Sequence, residues 1–576
     1  MSVDQVGTGR VSARRVLVWE VSGLAVREIA LVVISKAAGG GEGGGMASRK
    51  LGTTVILLVL MFVTAMPAAA QSFRVQCPTS TITHPTAANN NSEPAYSGAT
   101  TFTTGAKGFL TPATHVNGAI KCQQISGGDG YATMGDGTQT YMFSFGPLSG
   151  LADIANGLPG TEFPTVFNTL YAGLPLQPGD PATTGLPPFT YNGAVGQVLD
   201  VDARADGLCG GTGQPSCING HVDPRPIMDV GVMNGNIPAP LMAIDEDDEF
   251  FLTLTNVGMI MRPDLFEQHT VHFHGYPNAS SFYDGVPDAS VAINIGASFT
   301  YYYLAPDAGT YFWHCHITPP EHLQMGMVGQ LYVRPRQNRV PVGNSLYAAL
   351  QQQETDPRTA CVSANDILCS NPLPGGGAAA NPATRAATGG YAYNDGDGST
   401  YYDVEYPIQI HGFDPNFHFV GMTFNPEGFT DMKDKYFLLN GRSYPDTVTA
   451  GPLQTVSADG VGHFSQPLPS IIAIKSGQKA LLRISDLDVT EYQTLASLGI
   501  PMKVIGYNAK LLRDQAGNNL YYTTNSITLA GGESLDVILD STGVPTGTYY
   551  LYTPNLDHLS NDAENFGGLM TEVIVN

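Results

Sequence analysis

Residues 310–316 read Thr310-Tyr311-Phe312-Trp313-His314-Cys315-His316, and Ile-Thr-Pro-Pro-Glu-His-Leu-Gln-Met-Gly-Met follows over 317–327. The first part is rich in aromatic and β-branched residues, which is typical of a strand. Successive side chains of a strand point to opposite faces, so His314 and His316 share one face and Cys315 points to the other. The stretch predicts a strand of a β-sheet with a thiol on its interior side.

Similar patterns flank this strand on both sides. We predict further strands where apolar, aromatic and β-branched residues alternate between turn signals, over 140–145, 250–255, 270–274, 299–303 and 330–333. No long segment shows helical periodicity, and the 67 Gly and 40 Pro residues suit a chain with many turns. The fold class is therefore predicted to be all-β, with residue 140 opening the first strand.

The two halves of the chain resemble each other. Gly-Thr-Tyr-Phe-Trp at 309–313 is echoed by Gly-Thr-Tyr-Tyr-Leu at 547–551, and the stretch 244–254 is echoed by 474–484. A diverged repeat of one β-sandwich explains both matches. The predicted organisation is a leader over 1–70, an N-terminal extension without a core of its own over 71–138, a first sandwich over 139–340, a linker over 341–405 and a second sandwich over 406–576.

The N-terminal region carries the order of a secretory signal. Arg49 and Lys50 precede an apolar run over 55–63, and three alanines follow at 68–70. This predicts a signal peptide over about 46–70 and a secreted or periplasmic protein, with a retained N-terminal anchor as the alternative.

The cysteines agree with export, because six of the seven can pair. The predicted disulfides are Cys77/Cys122, Cys209/Cys217 and Cys361/Cys369. The cysteine left over is Cys315, and a thiol spared from pairing between two histidines is predicted to be a metal ligand. The formal charge of −23 argues against a nucleic-acid partner.

A second histidine-rich stretch completes the metal-binding pattern. Residues 268–275 read Gln-His-Thr-Val-His-Phe-His-Gly. If this strand lies beside the strand that ends at His314, four imidazoles line one side of the pair: His272, His274, His314 and His316. On the interior side the predicted ligands of one metal are His269, Cys315, His322 and Met327, with Met325 as the rival for the last position.

Two histidines, a cysteine and a weak methionine form the ligand set of a type 1 copper site. Zinc also binds two histidines and a cysteine, but it gains nothing from a thioether. The remaining signals are weaker: Asp245–Glu249 is interpreted as a charged strand entrance, and His411, His418, His463 and His558 as isolated histidines.

These two stretches resemble the motifs of the multicopper oxidases. His269-x-x-His272-x-His274-Gly275 is similar to the family's His-x-x-His-x-His-Gly motif, and His314-Cys315-His316-Ile317 is similar to its His-Cys-His-Ile motif. The resemblance is residue-specific over about 265–335 and implies tandem cupredoxin-like Greek-key β-sandwiches. It also implies type 1 copper on the four interior ligands and a trinuclear copper cluster on the four-histidine side, where dioxygen is reduced. Cys315, with its neighbours His314 and His316, would be the catalytic bridge for electrons.

The chain departs from that family in three respects. The loop from Cys315 to His322 is two residues longer than in laccases. A trinuclear cluster needs eight histidines, and the motifs supply four, with no other His-x-His pair in the chain. The second sandwich has Tyr-Thr-Pro at 552–554 where a His-Cys-His equivalent would fall, so it is predicted to be copper-free.

Two-domain copper nitrite reductases are the nearby comparison. His274 and His314 resemble two of the three ligands of their second copper site, which forms between subunits. In this chain Pro554 falls about where the third histidine would arrive from a neighbour, and His558 lies four residues further on.

The sequence thus predicts a copper-dependent oxidoreductase of the multicopper oxidase type. A small molecule or metal ion would donate electrons, dioxygen would accept them, and a homo-oligomer would complete the second copper site. The alternatives are a type 1 copper electron-transfer protein without oxidase activity, a nitrite-reductase-like enzyme, and a copper-binding or delivery protein.

Overall fold

Two β-sandwiches follow one another along the chain in the computed structural model. The structure describes residues 74–105, 108–172, 176, 189–198, 222–276, 280–305, 307–356, 369–375, 383–421 and 428–576. The predicted signal peptide and leader lie outside the described residues. Residues 71–576 form one compact unit.

The first sandwich is built from eight strands, and a separate hairpin, β1–β2, precedes it. The strands are β1 (Thr101–Thr104), β2 (Leu110–Thr114), β3 (Ile120–Thr133), β4 (Gln139–Pro147), β5 (Met242–Asp245), β6 (Glu249–Gly258), β7 (His272–Phe273), β8 (Ala297–Leu304), β9 (Gly309–His314) and β10 (Val328–Arg334). One sheet has the order β4-β3-β6-β8 and the other β5-β10-β9-β7. Their inner faces bury one apolar core that includes Phe143, Leu252, Tyr301 and Trp313.

The prediction that residue 140 opens the first strand is wrong. β3 is a 14-residue strand over Ile120–Thr133 that pairs antiparallel with β4 and parallel with β6, so it is central in its sheet. The sequence of this stretch is typical of a loop because it contains three glycines, at 127, 128 and 130. Their small size is required by neighbours, since a Cβ on Gly130 would lie 2.8 Å from the carbonyl oxygen of Gly235.

Sixteen strands follow the first sandwich in the described residues, and twelve of them build the second sandwich. They are β11 (Gly390–Tyr391), β12 (Tyr401–Tyr402), β13 (Val404–Phe413), β14 (Tyr436–Leu439), β15 (Leu453–Val456), β16 (Gly462–Gln466), β17 (Ile472–Ile474), β18 (Lys479–Asp486), β19 (Gln493–Leu498), β20 (Met502–Tyr507), β21 (Lys510–Leu511), β22 (Tyr522–Thr524), β23 (Ser526–Leu529), β24 (Ser534–Asp540), β25 (Gly547–Tyr552) and β26 (Met570–Val575). One sheet has the order β14-β13-β18-β24-β20-β21, with β22 on β20, and the other β17-β26-β25-β19-β23. A core with Ile410, Leu482, Val537 and Leu551 lies between them.

The repeat seen in the sequence corresponds to the same pattern of strand pairing in the two sandwiches. β5 lies parallel to β10 as β17 lies parallel to β26, and β3 lies parallel to β6 as β13 lies parallel to β18. The echoed strands β9 and β25 each pair antiparallel with the last strand of their sandwich. The predictions of an all-β fold and of tandem sandwiches are confirmed.

Helices in the described residues are short and serve as connections. They are α1 (Leu151–Ala155), α2 (Pro164–Phe167), α3 (Pro224–Gly231), α4 (Pro319–Gln324), α5 (Leu346–Gln353) and α6 (Pro415–Gly421). Short 3₁₀ turns cover Ala87–Asn91, Ser281–Tyr283, Arg336–Arg339, Phe429–Asp431, Asp446–Val448 and Leu556–His558. None of the helices described has the length and apolar character needed to cross a membrane.

The segment predicted as a linker packs closely where it is described. Its turn cluster at 394–398 is folded around Asp395, which is fully buried and accepts hydrogen bonds from the backbone of Thr400 and the side chain of Gln337. Tyr393, next to it, donates a hydrogen bond to Asp536 of β24. The segment therefore attaches to both sandwiches.

The cysteines behave as predicted where they are described. Cys77 and Cys122 form a disulfide that ties the N-terminal segment to β3. Cys369 is disulfide-bonded, while its predicted partner Cys361 and the pair Cys209/Cys217 lie outside the described residues. Cys315 is buried and free.

Candidate metal centre

The end of β9 positions the free thiol. β9 stops at His314, and the Cys315 backbone N–H donates to the carbonyl oxygen of Met327, 3.1 Å away, at the start of β10. Tyr311, Trp313 and Cys315 face the core of the first sandwich, and the Cys315 side chain is fully buried. The alternation of the strand thus aims the sulfur inward, as predicted.

Two imidazoles approach this sulfur from different segments. His269 pairs by a backbone bridge with Ile293, and His322 lies in α4, the helix that begins with the two prolines. The sulfur lies 3.2 Å from Nδ1 of His322 and 4.0 Å from Nδ1 of His269. The donor atoms of the three residues lie within 4.8 Å of one another. Both rings therefore turn the same nitrogen toward the thiol.

Opposite charges stabilise the sulfur and the nearer ring. Burial by itself would raise the pKa of Cys315, but the adjacent His322 and His269 outweigh it and hold the pKa well below its usual value. Burial would lower the pKa of His322, yet the Cys315 thiolate and the carboxylate of Glu267 raise it to about 9. The thiolate form, which binds metals, is favoured.

Both candidate methionines are fully buried in the core that holds Cys315. Met327 is bonded through its backbone to both neighbours: its carbonyl accepts from Cys315, and its N–H donates to the carbonyl of His322, 2.8 Å away. The Met325 N–H instead donates to Glu321 inside α4. These bonds fix Met327 beside Cys315 and His322.

The four-histidine cluster lies on the other face of the strand pair. β7 and β9 are antiparallel neighbours, with His272 directly opposite His314. The ring centroids of His272 and His316 are 5.0 Å apart, as are those of His274 and His314. The predicted strand over 270–274 is shorter than expected, but the structure brings the four predicted rings together.

Two of these rings are held in the same way, and a third contacts the backbone of another segment. Nδ1 of His272 lies 2.7 Å from the carbonyl oxygen of Asp284, and Nδ1 of His314 lies 2.6 Å from that of Cys315. His274 hydrogen-bonds to the backbone of Gly532. Donation from Nδ1 leaves Nε2 as the lone-pair nitrogen. The donor atoms of the three rings lie within 4.8 Å, with the Nε2 atoms of His274 and His314 3.0 Å apart.

Burial favours the neutral form of two of these rings. Burial and the neighbouring His272 lower the pKa of His274 to about 4. Burial and the neighbouring His274 lower the pKa of His314 well below its usual value. A metal would meet these two rings already deprotonated.

The isolated histidines each make at least one hydrogen bond within the fold. His411 and His418 bond to backbone carbonyls, and His463 bonds to Asp459. His558 stacks on Phe437 with ring centroids 3.8 Å apart and bonds to Gln493. His558 therefore serves the second sandwich of its own chain.

Several residues that contact the two clusters were not predicted from the sequence. They are Gly127, which packs on His269; Glu267, whose Oε2 lies 3.7 Å from Nε2 of His322; Asp284; and Gly532. Only Glu267 carried a local signal, as a carboxylate two residues before His269. The others come from distant parts of the chain.

A third group of possible metal donors consists of three carboxylates, from Glu93, Asp245 and Asp248. Lys121 forms an ion pair with Glu93, and Asp248 accepts hydrogen bonds from the backbone of Ala119 and Asp245. These contacts fix the backbone just before β6. This is the structural role expected for the acidic residues at the start of that strand.

Comparison with known proteins relates the metal-binding segment to one family. A family model described as multicopper oxidase matches residues 219–338. Laccase abr2 of Aspergillus fumigatus is 34% identical over 109 residues, covering 19% of this chain and 17% of that protein. The copper-containing nitrite reductase of Rhizobium meliloti is 34% identical over 119 residues, covering 20% of this chain and 28% of that protein.

Among solved structures, the blue copper oxidase from Nitrosomonas europaea aligns over 79% of this chain and 85% of its own, with 17% identity and a TM-score of 0.42. The chain spans less than a third of the length of these curated relatives. The match to the multicopper oxidase model covers the segment 219–338, which carries both histidine-rich stretches.

Proposed function

We propose that this protein is a secreted or periplasmic copper-dependent oxidoreductase of the multicopper oxidase type. It takes electrons from a small-molecule or metal-ion donor and transfers them to dioxygen. His269, Cys315, His322 and Met327 hold a type 1 copper, and the cluster formed by His272, His274, His314 and His316 contains a second copper site. The observation that carries the proposal is the free, buried Cys315 sulfur between two imidazole Nδ1 atoms.

The donor atoms of the first site fit copper. A thiolate with two imidazoles and a thioether suits both oxidation states of copper, whereas zinc prefers a fourth strong ligand. Among the described residues, the buried Nε2 of His269 has no hydrogen-bond partner, and the buried Nε2 of His322 lies 3.7 Å from Oε2 of Glu267. Both rings are thus held with Nδ1 toward the sulfur. A Cβ on Gly127 would lie 2.6 Å from Cδ2 of His269, so only glycine leaves room for this ring.

Copper in these sites supplies one-electron redox chemistry. The protein connects the two sets of donor atoms through its backbone. Cys315 belongs to the first set, and its backbone neighbours His314 and His316 belong to the second, so a short covalent path joins them. Glu267, a quarter exposed beside His322, marks the side from which a donor approaches.

The proposal is tested on the full chain loaded with copper. We expect blue absorbance, a type 1 EPR signal, and oxygen uptake with at least one of a phenol, Fe(II) or Mn(II). Cys315→Ser removes the sulfur and should abolish the blue absorbance, while the control His115→Ala, at an exposed histidine bonded to Ser97, should keep it. A single copper per chain in the fully loaded protein, without oxygen uptake, would refute the oxidase.

Nitrite reduction is the second candidate. It is supported by the match to the Rhizobium meliloti enzyme and by the two imidazoles, His274 and His314, that face each other. Nitrite-dependent oxidation of the reduced protein, without oxygen uptake, would favour it. Stable blue colour with neither activity would indicate an electron carrier, and rapid copper loss to chelators without blue colour would indicate copper delivery.

A further inference from the structure

The second histidine cluster contains three rings whose donor nitrogens converge, and a fourth ring, His316, that packs against His272 and His314 without joining this donor group. His272, His274 and His314 each have one side of the ring fixed by a backbone group, and their donor atoms lie within 4.8 Å. His316 is half-buried, and its ring makes no hydrogen bond to the described residues. It stacks on His314 at a centroid distance of 5.3 Å but does not belong to the three-donor group.

We propose that His272, His274 and His314 form a site for a single copper ion, completed within one chain, with His316 outside the ligand set. The choice of copper depends on the proposed function. The number of ions and the independence from a partner subunit depend on the geometry alone. This differs from the sequence-based expectation of a trinuclear cluster or of a site completed by a homo-oligomer.

The second sandwich of the same chain covers the cluster. The loop between β23 and β24 brings Gly532 against His274, where a Cβ would lie 2.7 Å from Nδ1 and 2.8 Å from Cε1. Its φ of +87° is also one that glycine adopts without strain. The neighbouring Gly531 lies even more closely against the carbonyl oxygen of Asp488 than Gly532 does against His274. A partner subunit would have to displace this loop to reach His274 from that side.

A cavity leaves one approach to His274 open. It has a volume of about 360 Å³ and lies between the sandwiches, lined among others by His274, Phe312, Pro320, Val489, Tyr492 and Gly532. Three protein ligands with an open position are typical of a catalytic metal site. The cavity suits a small acceptor such as dioxygen or nitrite.

The other histidines of the described chain are engaged elsewhere. Each has a hydrogen-bond partner outside the cluster: Glu249 for His84, Ser97 for His115, Leu323 for His411, Tyr141 for His418, Asp459 for His463 and Gln493 for His558. The described residues therefore offer no second set of imidazoles to bind further ions. Among divalent ions, three imidazoles bind Cu²⁺ most tightly.

The decisive measurement is the copper content of the full chain, together with its EPR spectrum and its mass in solution. We expect about two copper ions per chain, both visible by EPR, in a preparation diluted until light scattering shows monomers. About four ions per chain, half of them EPR-silent, would overturn the proposal, as would loss of the second copper on dilution to monomers. One zinc ion retained at this site against excess copper would also overturn it.

Variants assign the ligands. His272→Ala should reduce the copper content to about one ion per chain and keep the blue absorbance, whereas His316→Ala should keep about two. Gly532→Ala should weaken binding of the second copper about 10- to 100-fold, because it displaces His274. Its control is Gly137→Ala, which has a similar φ of +86° and open space around its Cβ, and should bind both ions normally. Loss of the second copper in His316→Ala would contradict the ligand assignment.

The two proposals fail separately. A chain with two EPR-visible copper ions but no oxygen uptake would refute the oxidase and keep the three-histidine site. Oxygen uptake by a chain with four copper ions would support the oxidase and refute the three-histidine site.

Discussion

Gly127 of β3 lies against the ring of His269, so closely that a Cβ at position 127 would fall 2.6 Å from Cδ2 of that ring. A glycine in the middle of a strand therefore sets the position of a proposed metal ligand on another segment. The same contact explains why β3 carries a residue that weakens strands in general.

Replacing Gly127 by alanine should push His269 away from Cys315. We expect weaker binding of type 1 copper, altered blue absorbance and a loss of about 1–3 kcal/mol in the free energy of unfolding from overpacking. Absorbance, copper titration and urea unfolding measure these effects. Gly105→Ala is the control, because its Cβ would lie 3.4 Å from its nearest neighbour. Unchanged absorbance in Gly127→Ala would mean that His269 does not bind the metal.

The two buried methionines should respond differently to substitution. Met327→Leu removes the proposed thioether ligand and should raise the reduction potential of the type 1 copper, because the axial ligand tunes that potential. Met325→Leu, in the same core, should leave the potential unchanged and serves as the control. Redox titration of the blue band separates the two, and the opposite result would assign the ligand to Met325.

An ion network of partly and fully buried side chains joins the two sandwiches. Glu405 of β13 accepts from Arg334 of β10 and from Arg483 of β18, at 2.8 and 3.0 Å. Burial would raise the pKa of Glu405, but the two guanidinium groups outweigh it and lower the pKa to about 2. Because the folded-state pKa lies below the usual value, the stabilisation is complete above about pH 4.5 and is lost as the pH falls through about 2.

Glu405→Gln leaves the fully buried Arg483 and the partly exposed Arg334 without their shared partner. We expect it to lower the free energy of unfolding by about 3–5 kcal/mol at neutral pH. The control Asp540→Asn breaks the exposed pair with Lys479 and should cost at most about 1 kcal/mol. The free energies of unfolding of both variants are measured in urea at pH 7. A loss in Glu405→Gln no larger than the loss in Asp540→Asn would contradict a stabilising role for the network.

Copper binding at the first site should release about one proton per ion near pH 7. His322, with its pKa raised to about 9, must lose a proton to bind, whereas the pKa of Cys315 is already held well below its usual value. Copper affinity should therefore rise with pH until about pH 9. Anaerobic titration with Cu(I) in a pH-stat measures the release, and two protons per ion would show that Cys315 is a neutral thiol in the metal-free protein.

The sequence alone determined the types of donor and much of the strand pattern. Alternation along 310–316 separated the Cys315 side from the His314 side, and the structure has the same separation. Strand alternation depends only on adjacent residues, so it can be read without the fold. Spacing and the cysteine count likewise predicted the thiol of Cys315, which is free among the cysteines that the structure describes.

The tertiary structure decided which groups surround those donors. Gly127 on His269, Gly532 on His274 and Glu405 between two arginines each join residues far apart in the chain. In the sequence, Gly127 and its neighbouring glycines indicated a loop, because glycine has a low strand propensity. That propensity reflects local backbone freedom and does not include the contact with the His269 ring. Close approach between distant segments is a property of packing, and packing exists only in the folded chain.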